Sequence, residues 1–229
     1  MPQVYVYALV DVPIALDLTG VMNEPLVLIP AAAGWLVIGE VRGHAPTTTA
    51  ETLRAQDAII RAFTTRADAV LPMRFGTCFE NETALQNRMA RFTAESLRTA
   101  LARVRGCEQM TLRLFQSEAP AAAAAATRGG AASAKPGTAY LEQRAAALTT
   151  SLTESELLDP LRRALTEIVR DEIVDATKRP PLIGSIYHLV ARGDAARYCE
   201  SVAAQTSASI TIRVTGPSPA YAFAKDALP

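Results

Sequence analysis

Between Glu118 and Pro136 the chain reads Glu-Ala-Pro, six alanines, Thr-Arg-Gly-Gly-Ala-Ala-Ser-Ala-Lys-Pro. A segment of this composition offers no large apolar side chain to bury and cannot build a core of its own. Its alanine run can be transiently helical, because alanine is the best helix former. Read as a linker, it divides the chain into residues 1–117 and 137–229, each near the roughly 100-residue size at which one core is common. The spacing therefore predicts two small domains joined by a hinge.

Within the first stretch, Val4 to Val10 mixes β-branched and aromatic residues, as a central strand does. Strict alternation would put Val4, Val6 and Ala8 on one face and Tyr5, Tyr7 and Leu9 on the other. Leu26–Ile29 and Trp35–Val41 form two apolar runs around Pro30-Ala-Ala-Ala-Gly34, a hairpin-like arrangement whose prolines keep the shorter run near an edge. From Thr49 to Arg66, Leu53, Ile59, Ile60 and Phe63 recur near helical spacing, leaving Glu51, Arg54, Asp57 and Arg61 to face water. Ala69–Arg74 is extended. Asn81 then caps a second helix carrying Leu85, Met89, Phe92, Leu97, Leu101 and Val104, which Gly106 stops. Met110, Leu112 and Leu114 alternate with Thr111, Arg113 and Phe115 in a strand expected to close this domain near Ser117. Strands backed by two helices make a two-layer α+β unit whose order resembles a ferredoxin-like sandwich with an inserted hairpin.

In the second stretch, Thr138–Thr150 and Glu154–Arg170 are expected helices. Ser151 or Thr153 can cap the latter, and Leu157, Leu158, Leu161, Leu165 and Ile168 line one of its faces. Leu182–Val190 reads as a strand, Asp194–Gln205 as a short helix, and Ser209–Thr215 as a strand. The result is a smaller α+β unit, a modified ferredoxin-like domain. Residues 216–229 carry three prolines around Tyr221 and Phe223, which suits an extended tail laid across a surface better than a helix.

Charge and cysteine content narrow the classes. Lys and Arg total 23, as do Asp and Glu, so the basic footprint of a nucleic-acid binder is missing. Cys78, Cys107 and Cys199 are odd in number and far apart, which suggests neither a disulfide framework nor a zinc site. With no apolar run near the roughly 20 residues of a membrane helix and no basic leader, the expected location is cytoplasmic.

Recognisable catalytic chemistry is missing from the pattern. His44, in a Gly-His-Ala-Pro loop, and His188, inside an expected strand, lie in no metal-ligand spacing. No Gly-x-Ser-x-Gly elbow occurs, and Cys78 after Gly76-Thr77 fits a small packing residue. Lys135 is followed by Pro136, so the glycines before it do not make a phosphate loop. Asp171-Glu172 falls in what reads as a charge-rich helix end, where solvated charge is the default. An enzyme built on Arg74, Glu80 or Asp171 would need those groups to converge in a cleft.

More particular are three motifs: Val70-Leu-Pro-Met-Arg-Phe-Gly-Thr77, Gly137-Thr-Ala-Tyr-Leu141 and Gly216-Pro-Ser-Pro-Ala-Tyr-Ala-Phe223. In the first, a strand delivers Arg74 and Phe75 to a Gly76 turn, where the cation can pin a loop to carboxylates or meet a partner. In the second, Gly137 releases the linker into a helix whose Tyr140 and Leu141 begin the packing of the second domain. In the third, Pro217 and Pro219 fix φ while Tyr221 and Phe223 supply amphipathic area, for docking on the same fold or on another chain. Together with Tyr5-Val-Tyr-Ala-Leu9, in this order along nearly the whole chain, they resemble the gas vesicle protein GvpF/GvpL family. Departures are Ser218 and Ala220, where the family tail has Trp and Pro, and Gln56, where a His often precedes the Asp57 position.

The resemblance implies two α+β domains and a non-enzymatic accessory protein of gas vesicles, without cofactor or bound metal. It implies action in vesicle nucleation and assembly by binding the very hydrophobic shell protein and other accessory subunits. Arg74, Phe75, Pro217, Pro219, Tyr221 and Phe223 are then the expected partner contacts. The alternative is a small-molecule-binding regulatory module, since ferredoxin-like scaffolds host many functions.

Overall fold

The computed structural model describes residues 2–116, 158–175, 181–205 and 210–225. The alanine-rich segment, the Gly137–Leu141 motif, the helix expected over 138–150 and the caps expected at Ser151 or Thr153 lie outside the described residues. The fold is α+β, with two antiparallel sheets.

The first sheet is centred on β1 (Gln3–Val10). It pairs antiparallel with β3 (Trp35–Val41) on one side, and with β4 (Val70–Pro72) and β5 (Cys78–Phe79) on the other. The hairpin partner β2 (Leu26–Pro30) forms the outer edge, as its prolines require. A register shift between Val6 and Ala8 breaks the expected alternation. Past this irregularity Ala8 joins Tyr5 and Tyr7 in one apolar cluster, while Leu9 joins Val4 and Val6 in the other. An extra residue in one strand shifts the parity of every side chain beyond it.

Both faces of this sheet are covered, so the helices are not stacked in one layer. The first helix, α1 (Ala50–Thr64), begins in a capping box in which Thr49 and Thr52 exchange side-chain and backbone hydrogen bonds, satisfying two otherwise orphaned donors. Its Ile59, Ile60 and Phe63 pack with Tyr5, Tyr7, Val10 and Val37. The long second helix expected from Asn81 is two helices, α2 (Glu82–Met89) and α3 (Ala94–Val104). Asn81 caps the first, and Thr93 accepts from the Ser96 N–H to cap the second. A cap inside an apolar-periodic run restarts the helix without erasing its stripe. Leu85, Leu97, Leu101 and Val104 pack with Val4, Val6, Leu9, Leu71 and Met73.

Gly106, at φ +63, ends α3 and turns the chain directly into β6 (Cys107–Gln116). This strand, expected to close the first sheet, is an inner strand of the second, paired with β8 (Leu182–Ala191) and β9 (Ile210–Ser218). Periodicity identified Met110–Phe115 as a strand but carries no information on which sheet receives it. Residues 158–165 form α4, and Leu161 and Leu165 pack with Met110, Leu112, Ile186 and Val190. Beyond it lies β7 (Val169–Asp175) on the sheet edge. Asp171 and Glu172 therefore stand in a strand, not in the helix end expected from their charge. Exposed edge strands lack the apolar run that marks inner ones, and β7 has no fully buried residue. Helix α5 (Ala195–Ala203) buries Tyr198 and Val202 against the same core.

The strand orders of the two sheets, β2-β3-β1-β4 and β7-β8-β6-β9, are the same when each set is counted from its own first strand. That order is the one produced by a β-α-β-β-α-β unit. In the first unit, residues 11–25 contain no helix, so α1 supplies the second crossover alone.

The tail does not remain extended. After β9, Tyr221–Ala224 forms a single helical turn, α6. It returns to the first sheet: Ala220, Phe223 and Ala224 are buried in one cluster with Leu71, Leu97 and Leu189. Leu189 belongs to β8, so residues from both sheets share this core. Complete burial of a phenylalanine side chain contributes about 1.5–3 kcal/mol.

Candidate functional site

Helix spacing places Leu53, Gln56 and Asp57 on one face of α1, as positions i, i+3 and i+4. Opposite them, the turn after β4 is fixed by backbone bonds from Met73 N–H to the Tyr7 carbonyl at 2.8 Å and from Thr77 N–H to the Arg74 carbonyl at 3.2 Å. Gly76 takes φ +84, a left-handed conformation that a side chain would resist. Its N–H donates to the Tyr5 hydroxyl at 2.8 Å. The turn thereby displays Arg74 and Phe75 at its tip. Tyr221, on α6, completes the wall of a hollow of about 380 Å³ lined by Leu53, Gln56, Asp57, Arg74, Phe75 and Tyr221.

The floor is polar but fully used. Gln56 is only 2% exposed; its Oε1 accepts from the Tyr5 hydroxyl and its Nε2 donates to the Met73 carbonyl at 3.1 Å. Burial pushes the Tyr5 phenol up to about 12, so it remains a neutral donor. Its ring meets that of Phe75 edge to face, with centroids 6.3 Å apart. Burial likewise raises the Tyr221 phenol.

At the rim, Arg61 Nε holds Asp57 Oδ2 at 2.6 Å, and Arg61 Nη1 donates to the Pro217 carbonyl at 2.8 Å. Pro219 is buried, and its carbonyl accepts from Tyr221 N–H at 2.8 Å. Arg74 is exposed; its carbonyl accepts from the Thr77 hydroxyl at 2.8 Å, but its guanidinium makes no hydrogen bond or ion pair among the described residues. The hollow is thus mostly apolar, with a single uncompensated positive charge.

Of the residues expected to contact a partner, Arg74, Phe75 and Tyr221 converge here, and Pro217 is tied to the rim through Arg61. Phe223 faces elsewhere: it is 2% exposed and lies beneath the Arg103 guanidinium, 5.0 Å from ring centroid to Cζ. Phe92, Ala100, Arg103 and Phe223 contribute to the lining of a second hollow, of about 510 Å³. Sequence reading did not place Leu53 in a site, because its spacing matched the core stripe. It is 43% exposed, since that stripe runs out of the core at the first turn of α1.

Elsewhere, His188 is almost fully buried between the Tyr198 hydroxyl, 2.7 Å from Nδ1, and Glu172, 2.9 Å from Nε2. Arg162 forks onto the same Glu172 carboxylate. Asp171 pairs with Arg103. No hydrogen bond or ion pair joins Arg74, Glu80 and Asp171 to one another among the described residues. Nor, among those residues, does any group of three or more His, Cys, Asp or Glu side chains stand in metal-binding range. No described helix is long and apolar enough to cross a membrane.

A family model described as gas vesicle synthesis protein GvpL/GvpF matches residues 3–225. No curated protein sequence matches the chain. Among solved structures, the gas vesicle protein GvpF from Anabaena sp. PCC7120 is similar at a TM-score of 0.78 and 15% identity, over 98% of this chain and 97% of that one. GvpF from Microcystis aeruginosa is similar at a TM-score of 0.77 and 14% identity, over 97% of this chain and 99% of that one.

Proposed function

Because the chain belongs to the GvpL/GvpF family of gas vesicle synthesis proteins, we propose that it serves vesicle nucleation and assembly by binding the hydrophobic shell protein and other accessory subunits. The observation that carries this reading is the hollow where exposed Leu53 and half-buried Phe75 and Tyr221 meet. An apolar concavity of this kind fits contact with an apolar partner. A shell subunit with a large apolar surface would associate with itself unless a partner covers it first, and a binder selective for the unassembled form shifts that balance by mass action. In this role the protein needs neither cofactor nor catalytic group, and it works in the cytoplasm at the growing vesicle.

Co-expression with the shell protein and affinity capture of the complex tests the reading. Recovery of a soluble complex supports it; capture of this chain alone, with the shell protein aggregated or free, rejects it. A second reading, a small-molecule-binding regulatory module, rests on the hollow of about 510 Å³ beside Phe92 and Phe223, which has the size of a ligand pocket. A ligand-induced rise in melting temperature without shell-protein binding would favour that reading.

A further inference from the structure

Two donors in the Leu53–Tyr221 hollow have no acceptor among the described residues. The Arg74 guanidinium is unpaired, and the Tyr221 hydroxyl makes no hydrogen bond among the described residues although its side chain is half-buried. The other polar groups of the lining have partners: Gln56 bonds Tyr5 and Met73, and Asp57 is charge-paired with Arg61 through Oδ2. An occupant must therefore bring oxygen acceptors, and Arg74 disfavours a cationic one. Guanidinium and carboxylate match as a fork onto two oxygens.

The apolar part of the lining specifies the rest. Leu53, at 43% exposure, and Phe75 offer surface that a free small acid would leave wet. An occupant that continues past the hollow covers it. We propose that the hollow seats a segment of the partner protein in which a large apolar side chain lies beside an Asp or Glu. The apolar side chain packs on Leu53 and Phe75, and the carboxylate is held by Arg74 and Tyr221. This rests on the assembly reading and adds to it the chemistry of the contact.

The test uses the full chain and, as probe, the shell protein captured by co-expression, with affinity then measured on the purified pair. Arg74→Glu is expected to weaken binding about ten-fold or more, and Tyr221→Phe and Leu53→Asp by smaller factors, as for loss of charge-assisted and apolar contacts at an interface centre. Arg74→Lys retains part of the affinity, because it keeps the charge and loses the fork. Reversing one acidic residue of the shell protein to Lys is expected to restore binding to the Arg74→Glu chain.

If the wild-type pair forms and Arg74→Glu binds it within about two-fold, this site is wrong while the assembly reading stands. If the wild-type pair does not form, both fall. The Arg74 side chain is exposed and unpaired among the described residues, so its variants should melt as the wild type does. Should Arg74→Glu fail to fold, Arg74→Gln with Tyr221→Phe decides the question on the same scale.

Discussion

Arg103 lies over the ring of Phe223, 5.0 Å from its centroid, while its guanidinium also pairs with Asp171 on β7. One side chain of α3 thus links the tail to the second sheet. Truncation of a buried phenylalanine costs about 3–5 kcal/mol, whereas a cation–π contact of this exposure contributes about 0.5–1 kcal/mol and an exposed ion pair no more than about 1 kcal/mol. Phe223→Ala is therefore expected to destabilise the protein several-fold more than Arg103→Ala in urea titrations. Equal effects would mean that the ring is not the anchor of the tail.

Glu24 is only 6% exposed and accepts from the Tyr7 hydroxyl and from Met22 N–H. Burial raises the Tyr7 phenol, and the neighbouring carboxylate adds to the rise, so Tyr7 is a neutral donor at any working pH. Tyr7→Phe leaves a buried carboxylate short of a hydrogen bond, a loss of about 1–3 kcal/mol. Glu24→Gln in the Tyr7→Phe background should recover part of it in the same unfolding assay.

The pH dependence of stability should carry a contribution from His188. Burial lowers its pKa below the ordinary 6.5, and the hydrogen bond to the Glu172 carboxylate only partly offsets this. The unfolded chain then binds more protons than the folded one as pH falls through 6.5, so stability is present above that value and declines below it. Glu172 acts lower: burial raises its pKa, but Arg162 and His188 outweigh burial and leave it below 4.5. Its contribution is present above 4.5 and lost beneath. Melting temperatures between pH 8 and pH 5 should fall for the wild type, and His188→Gln should remove the upper part of the slope.

Gly34 turns the β2–β3 hairpin at φ +82, and a Cβ there would stand 2.2 Å from the Val10 carbonyl oxygen. Strain in φ alone costs about 1–3 kcal/mol, and the clash with backbone adds to it. Gly34→Ala should therefore lower the denaturation midpoint markedly. Gly43→Ala, at φ +91 with open space around the added carbon, should cost only the φ term.

Much of this molecule was legible in residue order. The cap at Asn81, the hairpin around Gly34 and the stop at Gly106 follow from local chemistry, which acts within a few residues. What stayed hidden depends on distant partners. The shift after Val6 is set by pairing with β3, and β7 is an edge strand whose charges resemble a solvated helix. The sheet that receives Met110–Phe115 is decided by β8 and β9, more than 60 residues away in sequence. At the candidate site, Arg74 and Phe75 stood out by motif, and Tyr221 did so separately. Their meeting beside Leu53 depends on the tail folding back as a helical turn.

The shared strand order of the two sheets locates where the architecture tolerates change. The connection from β1 to β2 is residues 11–25, and that from β6 to β7 is residues 117–168. Lengthening a connection adds little closure entropy, so the same strand order accommodates connections of different length. The alanine-rich stretch falls in sequence between β6 and β7, two strands of the same sheet. At Gly106 the chain turns from α3 directly into β6, the first strand in sequence of that sheet.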